Sequence, residues 1–228
     1  MSSVPSDSDS QFELRLITPA TDLQALAHLI AQTFAQNPFE VSLNITADML
    51  APSATAKAAK AAREGLSHVV LERATGKLIA FSICEDVTTE ERPGPEILSH
   101  PAFGPLYGMR EELRFTEKVP RGEVVRGSLA GTLEGFEGHG MFVKCTNLST
   151  MEAAAKGFKR MVVTTRHPRS QKSALLTGYT VVKTVDVATF QWPPGSGVHP
   201  FKHLAKTINP TLVSLDLTTP EFRQKANL

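Results

Sequence analysis

The sequence predicts a single mixed α/β domain, and three observations carry that prediction. Short runs alternate apolar and polar residues while longer ones repeat apolar residues at three- and four-residue steps, so strand and helix periods share one chain. The two patterns follow one another in the order βααββ, an irregular stretch, then βαβαββ, without internal repeats. The 228 residues, 41% hydrophobic, suffice for one substantial core.

Residues 1–10 are rich in Ser and Asp and hold little that can build a core, so a disordered tail is expected there. The domain is expected over 11–220, with a second tail at 221–228. Phe-Glu-Leu-Arg-Leu-Ile at 12–17 alternates as a strand does, and Thr18 to Asp22 supplies turn and cap residues. Leu23, Leu26, Ala27, Ile30, Ala31 and Phe34 then form one helical stripe, which Asn37-Pro38 stops. Ala and Lys dominate 47–64, a second helix closed by Gly65. Residues 67–73 and 77–85 read as a β-hairpin across Ala74-Thr75-Gly76.

From 86 to 121 the pattern is irregular, with prolines at 93, 95, 101, 105 and 120 and a short helix around 107–113. Such an insertion is usually functional or disordered, and a lid is one expectation. Strand character returns at 123–132. A helical stripe of Met141, Cys145, Leu148, Met151 and Ala155 ends at Gly157, and a buried strand covers 160–165. A short helix at 169–176 and strands at 179–190 and 211–217 complete the chain.

Composition excludes several functions. Twenty-four basic against 23 acidic residues leave a formal charge of +1, and no basic block forms a nucleic-acid groove. No apolar run approaches the roughly 20 residues of a bilayer span, and the N-terminus lacks the apolar stretch of a signal peptide, so the cytoplasm is expected, with the nucleus as the alternative. Two cysteines, Cys84 and Cys145, exclude a disulfide framework and a four-thiolate zinc site; no metal is expected, and both thiols read as reduced, buried fillers. The Asn147-Leu148-Ser149 sequon falls inside a helix and reads as coincidence.

The most informative segment is Glu137-Gly138-His139-Gly140-Met141-Phe142, placed where a strand hands over to a helix. Two glycines one residue apart let main-chain N–H groups approach a phosphate with no Cβ in the way, although Gly-x-Gly also makes ordinary turns.

That segment, the helix after it and Gly157-Phe158-Lys159-Arg160-Met161-Val162-Val163 resemble, without a gap, the Arg/Gln-x-x-Gly-x-Gly/Ala loop, long helix and following strand of the GNAT acyltransferase superfamily. Ser170 to Gly178-Tyr179 is similar to that family's later short helix. Phe34–Pro38, His100-Pro101-Ala102-Phe103 and the stretch from Pro200-Phe201 to Leu217 resemble the arylalkylamine (dopamine-type) N-acetyltransferases. The resemblance spans 12–218 and implies an acyl-CoA N-acyltransferase fold with splayed central strands and acetyl-CoA as acyl donor. Two positions depart from the pattern: Glu137 stands for the Arg or Gln, and Phe142 for the small residue.

The resemblance places the diphosphate on the main-chain N–H groups of Gly138, His139, Gly140, Met141 and Phe142, with Lys144 one turn into the helix. Strand residues Ala130, Thr132 and Leu133 are implied to pair with the pantetheine arm. The Tyr that many members offer to the leaving thiolate is missing from Ser173-Ala174-Leu175. Ser170 matches a serine near the thioester, yet equally suits a helix N-cap. Relatives place a Glu before the proline after the first helix; Asn37 stands there and cannot accept a proton at neutral pH, so Glu40 is the nearest substitute base, set against a solvated loop role. Glu85 and Asp86 are further carboxylates at a strand end. His100, His139 and His167 are uncommitted, and Trp192 reads as a packing anchor.

The resemblance implies an acetyl-CoA-dependent N-acetyltransferase for a small primary amine, arylalkylamine or polyamine in type, working by direct transfer in a ternary complex. A protein or peptide N-acetyltransferase and a catalytically silent GNAT-fold binding module stay open, as does a homodimer.

Overall fold

The fold is described from a computed structural model, which covers residues 11–220 and 222. The expected tail at 1–10, and all of the tail at 221–228 but residue 222, lie outside the described residues. In chain order the elements are β1 (Phe12–Leu16), α1 (Leu23–Ala35), α2 (Pro38–Ser42), α3 (Ala47–Glu64), β2 (His68–Glu72), β3 (Leu78–Asp86), α4 (Pro95–Ser99), α5 (Phe103–Glu112), β4 (Val124–Thr132), α6 (Met141–Ala155), β5 (Arg160–Thr165), α7 (Pro168–Leu176), β6 (Thr180–Thr184) and β7 (Thr211–Asp216). One seven-stranded sheet runs β1-β2-β3-β4-β5-β7-β6.

The chain divides into two compact units. The first comprises residues up to 34, 47–85 and 127–153. Here β1, β2 and β3 pair antiparallel, with Val69 opposite Phe81 and Val70 opposite Ala80. Side chains of a strand alternate between faces, so the two registers feed two cores. Val69, Phe81 and Ile83 join Leu26 and Ile30 of α1 and Ala54, Ala58 and Ala61 of α3. Val70, Ile79 and Ala80 join Met141 and Cys145 of α6. Small residues on α3 let its backbone lie close to the sheet; Pro52, inside the helix, lacks the N–H that would otherwise pair with the Asp48 carbonyl.

The second unit comprises 35–46, 86–126 and residues from 154 onward. β7 pairs antiparallel with β5, from Arg160–Asp216 to Thr165–Thr211, and with β6 on its other side. The stretch 86–121, expected to be irregular, carries a 3-10 turn at Val87–Thr89 and the helices α4 and α5. Its prolines explain the difference: Pro95 occupies the first turn of α4, where proline is tolerated, so it starts a helix instead of breaking one. The expected strand 179–190 is also shorter, because Asp186 turns the chain by accepting the N–H of Ala188 at 2.9 Å.

Candidate functional site

In the first unit the chain between β4 and α6 forms an open corner. Gly138 and Gly140 have φ of +85° and +72°, a region other residues enter only at a cost, and nothing lies within 4 Å of where a Cβ would stand on either. Gly138, His139 and Gly140 are exposed. The first N–H groups of a helix have no partner within it; the first α6 bond into this corner runs from the Lys144 N–H to the Gly140 carbonyl, at 3.0 Å. No acidic residue stands in the first turn of α6, so the positive end of its dipole is unopposed there.

The two residues that depart from the family pattern leave the corner clear. Glu137 folds back, its Oε2 accepting the Gly135 N–H at 2.7 Å. Phe142 is half-buried, and its ring does not come within 4 Å of where a Cβ would stand on either glycine. The His139 ring lies 5.8 Å from that of Phe12, tilted by 58°. Met141 is buried in the core with Phe12 and Cys145, so only its main chain can face a ligand. Lys144 is half-buried one turn further on. The space and the unopposed helix end fit an anion such as a diphosphate.

On β4, Ala130 and Thr132 are half-buried. The Leu133 N–H is donated to the Ile79 carbonyl at 2.7 Å and its own carbonyl accepts from Phe136, so neither group is idle. A separate cavity of about 550 Å³ opens between β1 and α1. Its rim of Arg15, Asp22, His28 and Lys77 is exposed, and none of residues 138–144 lines it.

The carboxylates separate clearly by environment. Glu85 is buried on β3 and takes Lys57 at 2.8 Å and Lys60 at 2.5 Å from α3. Burial pushes its carboxyl up, but the two ammonium groups together outweigh burial and hold it below the ordinary value. Asp86 caps the following turn, accepting from Thr88, and binds the Gly122 N–H at 2.6 Å. Both carboxylates are engaged within the fold. Asn37 is the N-cap of α2, accepting the Phe39 N–H at 3.2 Å. Glu40 is buried in the second unit, not solvated, and pairs with Arg166 at 2.8 Å.

Ser170 lies in α7, but the N-cap of that helix is His167, whose Nδ1 accepts the Arg169 N–H at 3.2 Å. The capping role considered for Ser170 is therefore taken, and its hydroxyl has no hydrogen-bond partner among the described residues. Burial and the nearby Arg169 charge lower the His167 pKa. His100 Nδ1 accepts the N–H groups of Ala102 and Phe103, although the N-cap residue of α5 is Ala102. Trp192 lies against Gly104 and Gly108 of α5, where a Cβ on either glycine would collide with the indole.

Both thiols are buried. Cys84 is pushed up to about 12 by burial. Cys145 is pushed up further, also by burial, and its Sγ donates to the His68 carbonyl at 3.2 Å. Among the described residues no His, Cys, Asp and Glu group could hold a metal ion, and no helix is long and apolar enough to cross a membrane.

No family model and no curated protein matches the chain. Solved structures do. Arylalkylamine N-acetyltransferase 2 from Aedes aegypti superposes with a TM-score of 0.75 at 14% identity, over 91% of this chain and 99% of that one. The C-terminal condensation domain of Ebony, in complex with beta-alanyl-dopamine, gives 0.70 at 16% identity, over 90% and 99%. The Drosophila melanogaster polyamine N-acetyltransferase gives 0.67 at 13% identity, over 90% and 100%. Likeness along nearly the whole of each chain identifies the fold: this is the architecture of the GNAT N-acetyltransferases.

Proposed function

We propose that the chain is an N-acetyltransferase that moves an acetyl group from acetyl-CoA to a small primary amine, of arylalkylamine or polyamine type, in a ternary complex. The observation that supports this best is the exposed Gly138–Gly140 corner at the unopposed N-terminus of α6. The fold neighbours support the amine class, since their names specify arylalkylamine and polyamine acceptors.

Acetyl-CoA supplies an acetyl group already activated as a thioester. The chain's task is to hold it, to bring an amine to it unprotonated and to return a proton to the thiolate. Main-chain N–H groups from Gly138 to Phe142 bind the diphosphate in this reading, with Lys144 adding charge. Ala130, Thr132 and Leu133 offer main-chain groups to the pantetheine arm, Leu133 contributing least because its N–H is already donated to β3. Glu40 takes the proton from the amine. Ser170, with its hydroxyl unengaged, gives a hydrogen bond to the departing sulfur, directly or through water. Direct transfer is favoured over an acyl-enzyme because both thiols are buried and held protonated.

The reaction belongs in the cytoplasm or nucleus in this reading. Strand β6 at the sheet edge, with Val181 and Val182 more than half exposed, supports association into a homodimer, which sedimentation checks. Calorimetric titration with CoA tests the reading as a whole: binding is expected, followed by thiol release from acetyl-CoA with members of an amine panel. Absence of CoA binding overturns it and leaves a silent module of the same fold. Acetylated lysines or N-termini in a mass-spectrometric search, with no turnover of free amines, would favour a protein acetyltransferase instead.

A further inference from the structure

Within the second unit, Glu40 of α2 is 2% exposed. Arg166, just past the end of β5 and 126 positions away in sequence, donates from Nη1 to Glu40 Oε1 at 2.8 Å. The arginine side chain is itself only 9% exposed. Its guanidinium lies 6.0 Å from the centre of the Phe39 ring, and Phe39 meets Phe201 edge-on at 5.0 Å, both rings fully buried.

Burying such a pair costs more than the attraction returns unless the remaining lone pairs are satisfied. Here they are not: Glu40 Oε2 is buried and has no hydrogen-bond partner among the described residues. Two apolar side chains of similar volume would serve stability better. A buried carboxylate oxygen without a donor calls for a donor from outside the chain. A primary ammonium provides three N–H donors and the matching charge.

We infer that Arg166 is a positioning residue: by holding Glu40 Oε1 it presents Oε2 to the ammonium group of the acceptor amine. The inference rests on the N-acetyltransferase reading and adds a residue to it. An N–H bond of the ammonium breaks and an O–H bond forms on Oε2; the freed nitrogen lone pair attacks the acetyl carbonyl, the C–S bond of the adduct breaks to release the thiolate, and a second N–H proton passes to that sulfur. The proton on Oε2 passes on to water once the amide has formed. The total charge of ammonium, guanidinium and carboxylate is the same before and after this proton transfer.

The test uses the full chain and two simple cations, n-propylammonium, which has N–H donors, and tetramethylammonium, which has none. Propylammonium is expected to raise the melting temperature of the wild type above the value in tetramethylammonium at equal ionic strength. Glu40→Gln and Arg166→Met are expected to lose that difference, and Arg166→Lys to keep most of it. CoA affinity, measured alongside, should be unchanged in all three variants. With any amine that turns over, Glu40→Gln should lower kcat/KM about a hundredfold, the scale of a general base, and the Glu40→Gln/Arg166→Met double variant should be no worse than the poorer single one. Equal response to the two cations in the wild type overturns the inference, as does a Glu40→Gln protein that folds and keeps the difference. Should Arg166→Met fail to fold, Glu40→Gln and Arg166→Lys decide alone. CoA binding without an ammonium effect sinks this inference and spares the transferase reading; the reverse sinks that reading and spares the ammonium site.

Discussion

Glu137 Oε2 accepts the main-chain N–H of Gly135 at 2.7 Å, which turns the carboxylate back along the chain, away from the corner where the proposed reading puts a diphosphate. Neutralising that side chain should therefore matter little. Glu137→Gln is expected to change CoA affinity less than about threefold, whereas Gly140→Ala should weaken it by about tenfold or more. The alanine forces a side chain into the left-handed region, at a cost of roughly 1–2 kcal/mol, and fills space the ligand would use. Calorimetry on the two variants checks the contrast; equal losses would place the diphosphate elsewhere.

His167 makes α7 sensitive to acid. Its Nδ1 must be unprotonated to accept the Arg169 N–H, and burial with the Arg169 charge lowers its pKa from 6.5. The folded state thus prefers the neutral ring. Its contribution is complete above about pH 6.5 and is lost as pH falls through the lower folded value. His167→Asn, which caps without titrating, should flatten this part of the melting-temperature profile, and His167→Ala should cost about 1 kcal/mol at neutral pH.

Glu85 is held below its ordinary value by Lys57 and Lys60 against the effect of burial, so it stabilises the fold above the unfolded carboxyl value and loses that effect as pH falls through the folded one. Glu85→Ala leaves two ammonium groups without their partner and is expected to cost about 3 kcal/mol in urea denaturation at pH 7. Lys57→Met should cost less, because Lys60 keeps hold of Oε2.

The thiols should be silent. With Cys84 at about 12 and Cys145 displaced in the same direction, native protein at pH 8 is expected to react with none of its two cysteines in a disulfide-exchange assay and with both after denaturation. Intact-mass measurement after incubation with acetyl-CoA should show no acetyl adduct on either sulfur.

Strong periodicity made most of the fold legible. The bounds of α3 can be read from a run dominated by Ala and Lys with a closing glycine, and those of β5 from a short buried apolar run. Short helices did not announce themselves. Asn37-Pro38 reads as a stop for α1, yet the same dipeptide, as N-cap and first-turn proline, starts α2. The glycine corner was visible because its geometry is local. His167 takes the N-cap of α7, a role outside the usual Ser, Thr, Asp and Asn signature. Arg166 carried no signal at all, because its significance lies in a contact across 126 residues that only tertiary packing creates.

The indole seated in the notch at Gly104 and Gly108 belongs to the one tryptophan in the chain. Its fluorescence is therefore a built-in optical reporter on α5 and the loop facing it. Emission should shift to the red when that region comes apart, so the loosening of this part of the molecule can be followed by light alone, without a label.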